Sequence, residues 1–214
     1  MTLKDGEFAL NEELERLDRQ RIAQVKTGDQ QAFAELVRAH QNAVYNLAYR
    51  MLSDRTEAED ASQETFLRAY SSIDRYDMAR PFRTWLLSIT SNHCIDRLRK
   101  RRLTWLSLDE PLPAHPALSS DEAEPEDAAI QNERDAMIQG LLAELSPEYR
   151  AAVILRYWHD LSYDEIATML DTTESAIKSR LFRARQVLAD KLSEKTAAKA
   201  APRANPKLRF AEGR

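Results

Sequence analysis

The sequence predicts an all-α protein of two small helical domains, a helical bundle and a helix-turn-helix unit, joined by a flexible acidic linker. Three observations lead there. Only 4 glycines occur in 214 residues, beside a hydrophobic content of 43% and a charged content of 31%, a mixture that favours helices over hairpin turns. Apolar residues recur at three-and-four spacing on both sides of the middle of the chain. Between those halves, residues 104 to 130 carry Pro111, Pro113, Pro116 and Pro125 with Ser119, Ser120 and an acidic run, which neither a helix nor a packed core can use.

Residues 1–26 read as an extension, with a weak helix at 11 to 26 that can pack on the helical domain next to it. Asp29 can cap the next helix, whose buried face is Phe33, Leu36, Val37, Val44, Leu47, Ala48 and Met51. A second helix follows Asp54, with Ala58, Ala61, Thr65, Phe66 and Ala69 on its face, and ends near Ile73. The polar stretch Asp74 to Arg80 breaks the pattern, and Pro81 opens a third helix from Phe82 to about Arg102. Past the linker, Ile138, Leu141, Leu142 and Leu145 form another buried stripe. Ser146 and Pro147 then supply a cap and a first-turn proline for a helix carrying Val153, Ile154, Tyr157 and Trp158. The tail from Ser193 to Arg214, with two prolines and little apolar content, is expected to be disordered.

Ser162, Tyr163, Asp164 and Glu165 form an S-x-x-E capping box that starts a short helix through Ile166, Ala167 and Leu170. It stops at Asp171, Thr172 and Thr173, and a new helix starts at Glu174, giving a helix-turn-helix over about 162 to 189. At 100° per residue, Ile177, Leu181, Ala184 and Leu188 share one buried arc. The opposite arc holds Ser175, Lys178, Ser179, Phe182, Arg183 and Gln186, with Arg180 and Arg185 toward its edges. Donors for base edges, an apolar group for a thymine methyl and flanking cations for phosphates are what major-groove reading requires.

Bulk features narrow the remaining classes. No stretch nears the roughly 20 apolar residues of a membrane span, and the acidic N-terminus is unlike a signal peptide, so a cytoplasmic location without membrane insertion is expected. One cysteine, Cys94, forms no internal disulfide, and four scattered histidines supply no metal-ligand spacing, so no metal and no cofactor are expected. The net charge of -4 hides its distribution. Leu103 to Glu133 contains eight acidic residues and no Lys or Arg, whereas Arg97, Arg99, Lys100, Arg101 and Arg102 form a basic block just before it. With Lys178, Arg180, Arg183 and Arg185, two cationic surfaces flank an anionic strap, a layout suited to holding DNA at two places.

Four segments in order, TGDQQAFAELVRAH at 27 to 40, DRTEAEDASQETFLRAY at 54 to 70, RPFRTWLLSITSNHCIDRLRKRR at 80 to 102 and LSYDEIATMLDTTESAIKSRLFRAR at 161 to 185, resemble the extracytoplasmic-function sigma factors of bacteria. These are small sigma-70 relatives with two domains, sigma-2 and sigma-4, and the resemblance covers roughly residues 20 to 192. It implies a sigma-2-like domain at 27–103, the linker at 104–130, a sigma-4-like domain at 131–192 and a tail at 193–214. It also implies binding to core RNA polymerase and to promoter DNA, with melting of the -10 element, and allows an anti-sigma factor as a further partner.

By that resemblance, Asp60, Gln63, Glu64, Phe66 and Arg68 dock on polymerase, although the same positions suit a plain solvated surface. The -10 element falls to Tyr76, Phe82, Arg83, Trp85, Asn92, Arg97, Arg99 and Lys100, which offer stacking faces and a cationic track for single-stranded DNA. Trp85, beside Leu86 and Ile89, fits a packing role as well. The duplex -35 element falls to Ser175, Lys178, Ser179, Phe182 and Arg183, with Arg180 and Arg185 on phosphates. The anionic linker suits a cationic polymerase channel, and solubility equally. Two other classes fit less well. A response-regulator output protein needs a receiver or ligand domain with strands and glycines, and an enzyme needs a preorganised cluster or phosphate loop; neither is present in the sequence.

Overall fold

The structure is a computed structural model that describes residues 3–107 and 126–200, with side chains over 12–103 and 133–194. Eight α-helices make it up among the described residues: α1 (Leu3–Lys26), α2 (Gln30–Leu52), α3 (Arg55–Ser72), α4 (Phe82–Ser107), α5 (Glu126–Ala143), α6 (Pro147–Tyr157), α7 (Tyr163–Met169) and α8 (Glu174–Ala200). A short 3-10 turn, Ile73–Arg75, comes directly after α3.

The caps read from the sequence hold the starts of α2, α3, α6 and α7. The Asp29 carboxylate accepts from the amides of Gln31 and Ala32, and Asp54 accepts from Glu57. Ser146 caps α6 ahead of Pro147, and Ser162 and Glu165 form a reciprocal capping box on α7. Between α1 and α2, Gly28 sits at φ +98°, a left-handed conformation that costs glycine little. Its amide and that of Asp29 close the end of α1 onto the carbonyls of Val25 and Gln24.

Two apolar clusters result. One lies within the N-terminal unit: Ile22 and Val25 of α1, Leu36 and Val44 of α2, Ala69 of α3, Ile73, and Tyr76, Phe82 and Leu86 around the start of α4. The other is continuous through both halves of the chain. Leu47, Met51 and Leu52 of α2, Ala58 and Ala61 of α3 and Leu87 and Cys94 of α4 join Leu142, Leu145, Ile154, Ile166, Met169, Ile177 and Leu181. The two expected domains are therefore packed face to face, with α6 against α2 and α4, and α7 against α4.

The structure differs from expectation at several boundaries. The first helix is longer than 11 to 26, and α4 runs to Ser107 while α5 begins at Glu126, both inside the stretch expected as linker. Helix α8 continues to Ala200, into the tail expected to be disordered, because Glu194, Lys195 and the alanines after them are good helix formers. The rest of the linker, 108–125, and the tail beyond 200 lie outside the described residues. In α6 the mixed run Ala151 to Leu155 is buried, whereas Tyr157 and Trp158 are exposed.

Candidate nucleic-acid interface

Helices α7 and α8 form the helix-turn-helix. Asp171 takes a left-handed φ of 47° in the turn, and the Thr172 amide donates to the Ala167 carbonyl at 2.9 Å, closing α7. Thr173 starts α8 by accepting from the Ala176 amide through its hydroxyl at 3.2 Å. Ile177, Leu181 and Ala184 are buried, which turns Ser175, Lys178, Ser179, Phe182, Arg183 and Gln186 outward, all of them exposed. Phe182 is 57% exposed, on a face it shares with Lys178, Ser179, Arg183 and Gln186. Lys178, Ser179, Phe182, Arg183 and Gln186 line a shallow open concavity. Lys178 is steadied by Glu174 at 2.8 Å, and Arg183 reaches the Tyr149 hydroxyl at 3.4 Å, so both cations are held over the face by partners one turn or one helix away. Of the flanking arginines, Arg185 is exposed and donates to the Leu181 carbonyl, and Arg180 is half-buried.

The residues assigned to the -10 element divide into three groups. Tyr76 and Phe82 are a correction: they are 5% and 2% exposed, and their rings pack edge to face 5.5 Å apart inside the N-terminal core. Burial pushes the Tyr76 phenol up to about 12, and its hydroxyl donates to the Arg80 carbonyl, so it locks the loop before α4 instead of offering a stacking face. The family resemblance assigned these aromatics to base stacking, but here Tyr76 and Phe82 build the loop's core. Trp85 is half-buried and leans on Tyr76 and Phe82 at 4.9 and 5.7 Å, a packing role that leaves part of its ring open.

Arg97 forms a second group with Arg101, tied to α3 through Glu57 and, for Arg97, Asp60 at 3.7 Å. One residue assigned to DNA and one assigned to polymerase thus share an ion pair. The third group, Arg83, Asn92 and Arg99, is engaged by the C-terminal unit. Arg83 donates to His159 Nδ1 at 3.1 Å, the Asn92 amide donates to the Met169 carbonyl at 3.2 Å, and Arg99 pairs with Glu148 at 2.7 Å. Lys100, next to Arg99, is exposed.

On α3, Asp60, Gln63 and Arg68 are exposed, and Glu64 pairs with Arg68 at 2.6 Å. Phe66 is half-buried against the N-terminal core, so only part of its ring faces outward. Sequence reasoning missed Leu67, which is 66% exposed, and Tyr70, 44% exposed. The signal was available: Leu67 stands at i+7 from Asp60 and i+4 from Gln63, an apolar residue centred on the polar face. Among the described residues no group of three or more His, Cys, Asp or Glu can hold a metal ion, and no helix is long and apolar enough to cross a membrane.

Residues 36–104 match the family Sigma-70 region 2, and residues 135–188 match Sigma-70, region 4. A helical bundle with the first and a helix-turn-helix with the second define the class, a promoter-recognition protein of the sigma-70 type that acts in transcription initiation. The chain is 38% identical over 186 residues to the ECF RNA polymerase sigma factor SigW of Bacillus subtilis, an overlap covering 85% of this chain and 100% of that protein. Its fold is similar to CnrH of Cupriavidus metallidurans, solved in complex with the cytosolic domain of CnrY. There the TM-score is 0.61 at 27% identity, covering 83% of this chain and 98% of that one. It is also similar to the sigma factor RpoE of Bartonella quintana in complex with the anti-sigma factor NepR, with a TM-score of 0.58 at 25% identity over 75% and 96% of the two chains. The chain belongs to the extracytoplasmic-function RNA polymerase sigma factors.

Proposed function

We propose a division of labour among the surfaces of this sigma factor. Helix α8 reads the duplex -35 element, with Lys178, Ser179, Phe182 and Arg183 toward base edges and Arg180 and Arg185 toward phosphates. Helix α4 takes the unpaired -10 strand through Arg83, Asn92, Arg99 and Lys100, with the open part of Trp85 as a stacking face. Helix α3 docks on core polymerase through Asp60, Gln63, Leu67 and Arg68. Strand capture by α4 drives melting without ATP, because binding energy for the unpaired bases offsets their unstacking. The protein acts in the cytoplasm, where promoters are, and takes an anti-sigma factor as its second protein partner, as RpoE of Bartonella quintana takes NepR.

The observation that carries this reading is the outward arc of α8, where an exposed phenylalanine sits between a lysine and an arginine that are each held in place. Run-off transcription with purified core polymerase tests it. The chain should confer initiation dependent on both promoter elements, and no core binding with no specific transcript would sink it. Arg183→Ala should weaken binding to a -35 duplex by about 1–3 kcal/mol, roughly ten- to a hundredfold, while core association persists. Loss of core association in a folded Arg183→Ala protein would contradict the separation of roles.

A further inference from the structure

Helix α1, an extension by the reading of the sequence, buries a polar contact where simple packing needs only apolar side chains. His40 of α2 donates through Nε2 to the Asp18 carboxylate of α1 at 2.9 Å, and the two residues are 8% and 5% exposed. A carboxylate can only accept, which fixes the ring nitrogen that carries the hydrogen. Ile22 and Val25 of the same helix already supply the apolar part of the packing. The buried bond adds direction, since a carboxylate in a core is unfavourable unless its partner stays in one place.

The imidazole meets the rings around the start of α4. It lies 5.4 Å from the Phe82 ring at 69°, and Phe82 lies 5.5 Å from Tyr76 and 5.7 Å from Trp85. Tyr76 and Trp85 stand 4.9 Å apart, and the Tyr76 hydroxyl closes the loop onto the Arg80 carbonyl. Helix α1 also contacts the turn Ile73–Arg75 and α4. After burial itself, the charge of Asp18 does most to raise the Tyr76 phenol, so α1 stands close behind this loop. The buried rings of His40 and Phe82 thus connect Asp18 to the half-open ring of Trp85. In a close-packed interior one such ring cannot turn without moving the next. Arg21 of α1 pairs with Glu35 of α2 at 3.0 Å, a tie in which no ring takes part, so holding α1 on α2 and orienting the rings are separable tasks.

We propose that Asp18 and His40 are positioning residues for capture of the unpaired -10 strand: their buried bond fixes, through Phe82, the pose of Trp85 and of the loop from Tyr76 to Pro81. The inference rests on the assignment of the open Trp85 face to a -10 base. Neither residue touches DNA, and both act through the rings in front of them. Helix α1 is thereby the back wall of the -10 reading surface.

The test uses holoenzyme assembled from the full chain and core polymerase, on a promoter fragment with a duplex -35 element and a mismatched, already open -10 element. 2-Aminopurine replaces one -10 base at a time. Stacking on an indole quenches it, and at saturating holoenzyme the quench reports pose rather than affinity. Asp18→Leu removes the acceptor but keeps an apolar filling, His40→Gln keeps a donor but removes the ring, and Asp18→Asn keeps an acceptor. The parent should quench the base at one position. Asp18→Leu and His40→Gln should lose most of that quench and bind the open fragment about tenfold more weakly, with unchanged affinity for core polymerase and for a closed -35 duplex. Asp18→Asn should recover the quench, and Arg21→Ala should keep it even where the unfolding midpoint falls. Parental quench in folded Asp18→Leu and His40→Gln proteins overturns the proposal. So does its loss in Arg21→Ala, which would show that any loosening of α1 suffices, or an Asp18→Asn protein that fails as fully as Asp18→Leu. If one of the two disruptive variants does not fold by circular dichroism, the other decides. Trp85→Ala separates the two readings: a quench that survives it would defeat the assignment of Trp85 to the -10 strand, whereas a quench lost there but kept in Asp18→Leu would defeat the positioning role alone.

Discussion

Arg150 is 6% exposed, and no carboxylate faces its guanidinium in the bonds it makes. It donates instead to the carbonyls of Met51, Ala143 and Leu145, at the C-terminal ends of α2 and α5, where unpaired carbonyls and the helix dipoles both favour a cation. Burial pulls its pKa down to about 10, still far above neutral, so the charge persists. Arg150→Ala leaves those carbonyls buried and bare, and a loss of about 2–4 kcal/mol in denaturant unfolding is expected. Arg150→Lys should recover only part, since one ammonium cannot span acceptors on two helices as a planar fork does. A full recovery by lysine would show that charge alone matters there. This residue was not legible in the sequence, where an arginine between Tyr149 and Ala151 in a short helix reads as surface. Only the convergence of two helix ends, a tertiary fact, gives it partners. The same holds for Tyr76 and Phe82: composition marked them as aromatic, and it took the fold to decide whether their faces look in or out.

At the scale of elements the chain is more transparent, because caps and apolar stripes are local. Helix α7 has only seven residues, too few to be stable alone, and its capping box satisfies the amide of Glu165 and the amide of Ser162 at 3.2 and 2.8 Å. Ser162→Ala should cost about 1 kcal/mol of stability by thermal or denaturant unfolding and weaken -35 binding in step, as α7 sets the pose of α8. Gly28 offers a cleaner case, since a Cβ there meets nothing within 4 Å. Any penalty of Gly28→Ala is therefore backbone strain at φ +98°, about 1–2 kcal/mol, and an unchanged midpoint would show that the α1–α2 turn relaxes freely. Asp29, Asp54, Ser146 and Ser162 were all readable as helix starts, and the buried arcs of α2 and α8 as core. Helix ends were less readable. Helix α4 runs to Ser107, α5 begins at Glu126 and α8 runs to Ala200, in stretches whose composition reads as linker or tail.

For the whole molecule, the relation of the two units was invisible to periodicity, which says that a face is apolar but not what covers it. Leu47 and Met51 are legible as core of α2, yet nothing local says that their neighbours come from a segment about a hundred residues later. Where the two units meet, His159 is a titratable group buried against cations. His159 is 8% exposed, accepts from Arg83 of α4, and also faces Arg50 of α2, with Asp160 beside it on its own loop. Burial first, then the nearby Arg83 and Arg50, lower its pKa from 6.5 to about 4. In an opened chain the imidazole regains water and titrates near 6.5. The open form therefore binds more protons between those values, and closure is weakened as pH falls. The contribution is complete above about pH 6.5 and lost progressively toward pH 4, on the order of 3 kcal/mol in all. Protonated Nδ1 can no longer accept from Arg83, and the new cation meets two others. Glu148, held below its usual range in part by Arg99, adds a loss of the same sign, but only where carboxylates protonate. Scattering from the free chain should show expansion beginning near pH 6 and growing toward pH 4.5, with helix content retained. His159→Gln, which keeps an acceptor without a titrating ring, should leave that window flat, while Glu148→Gln should not. An expansion that persists unchanged in His159→Gln would place the proton elsewhere.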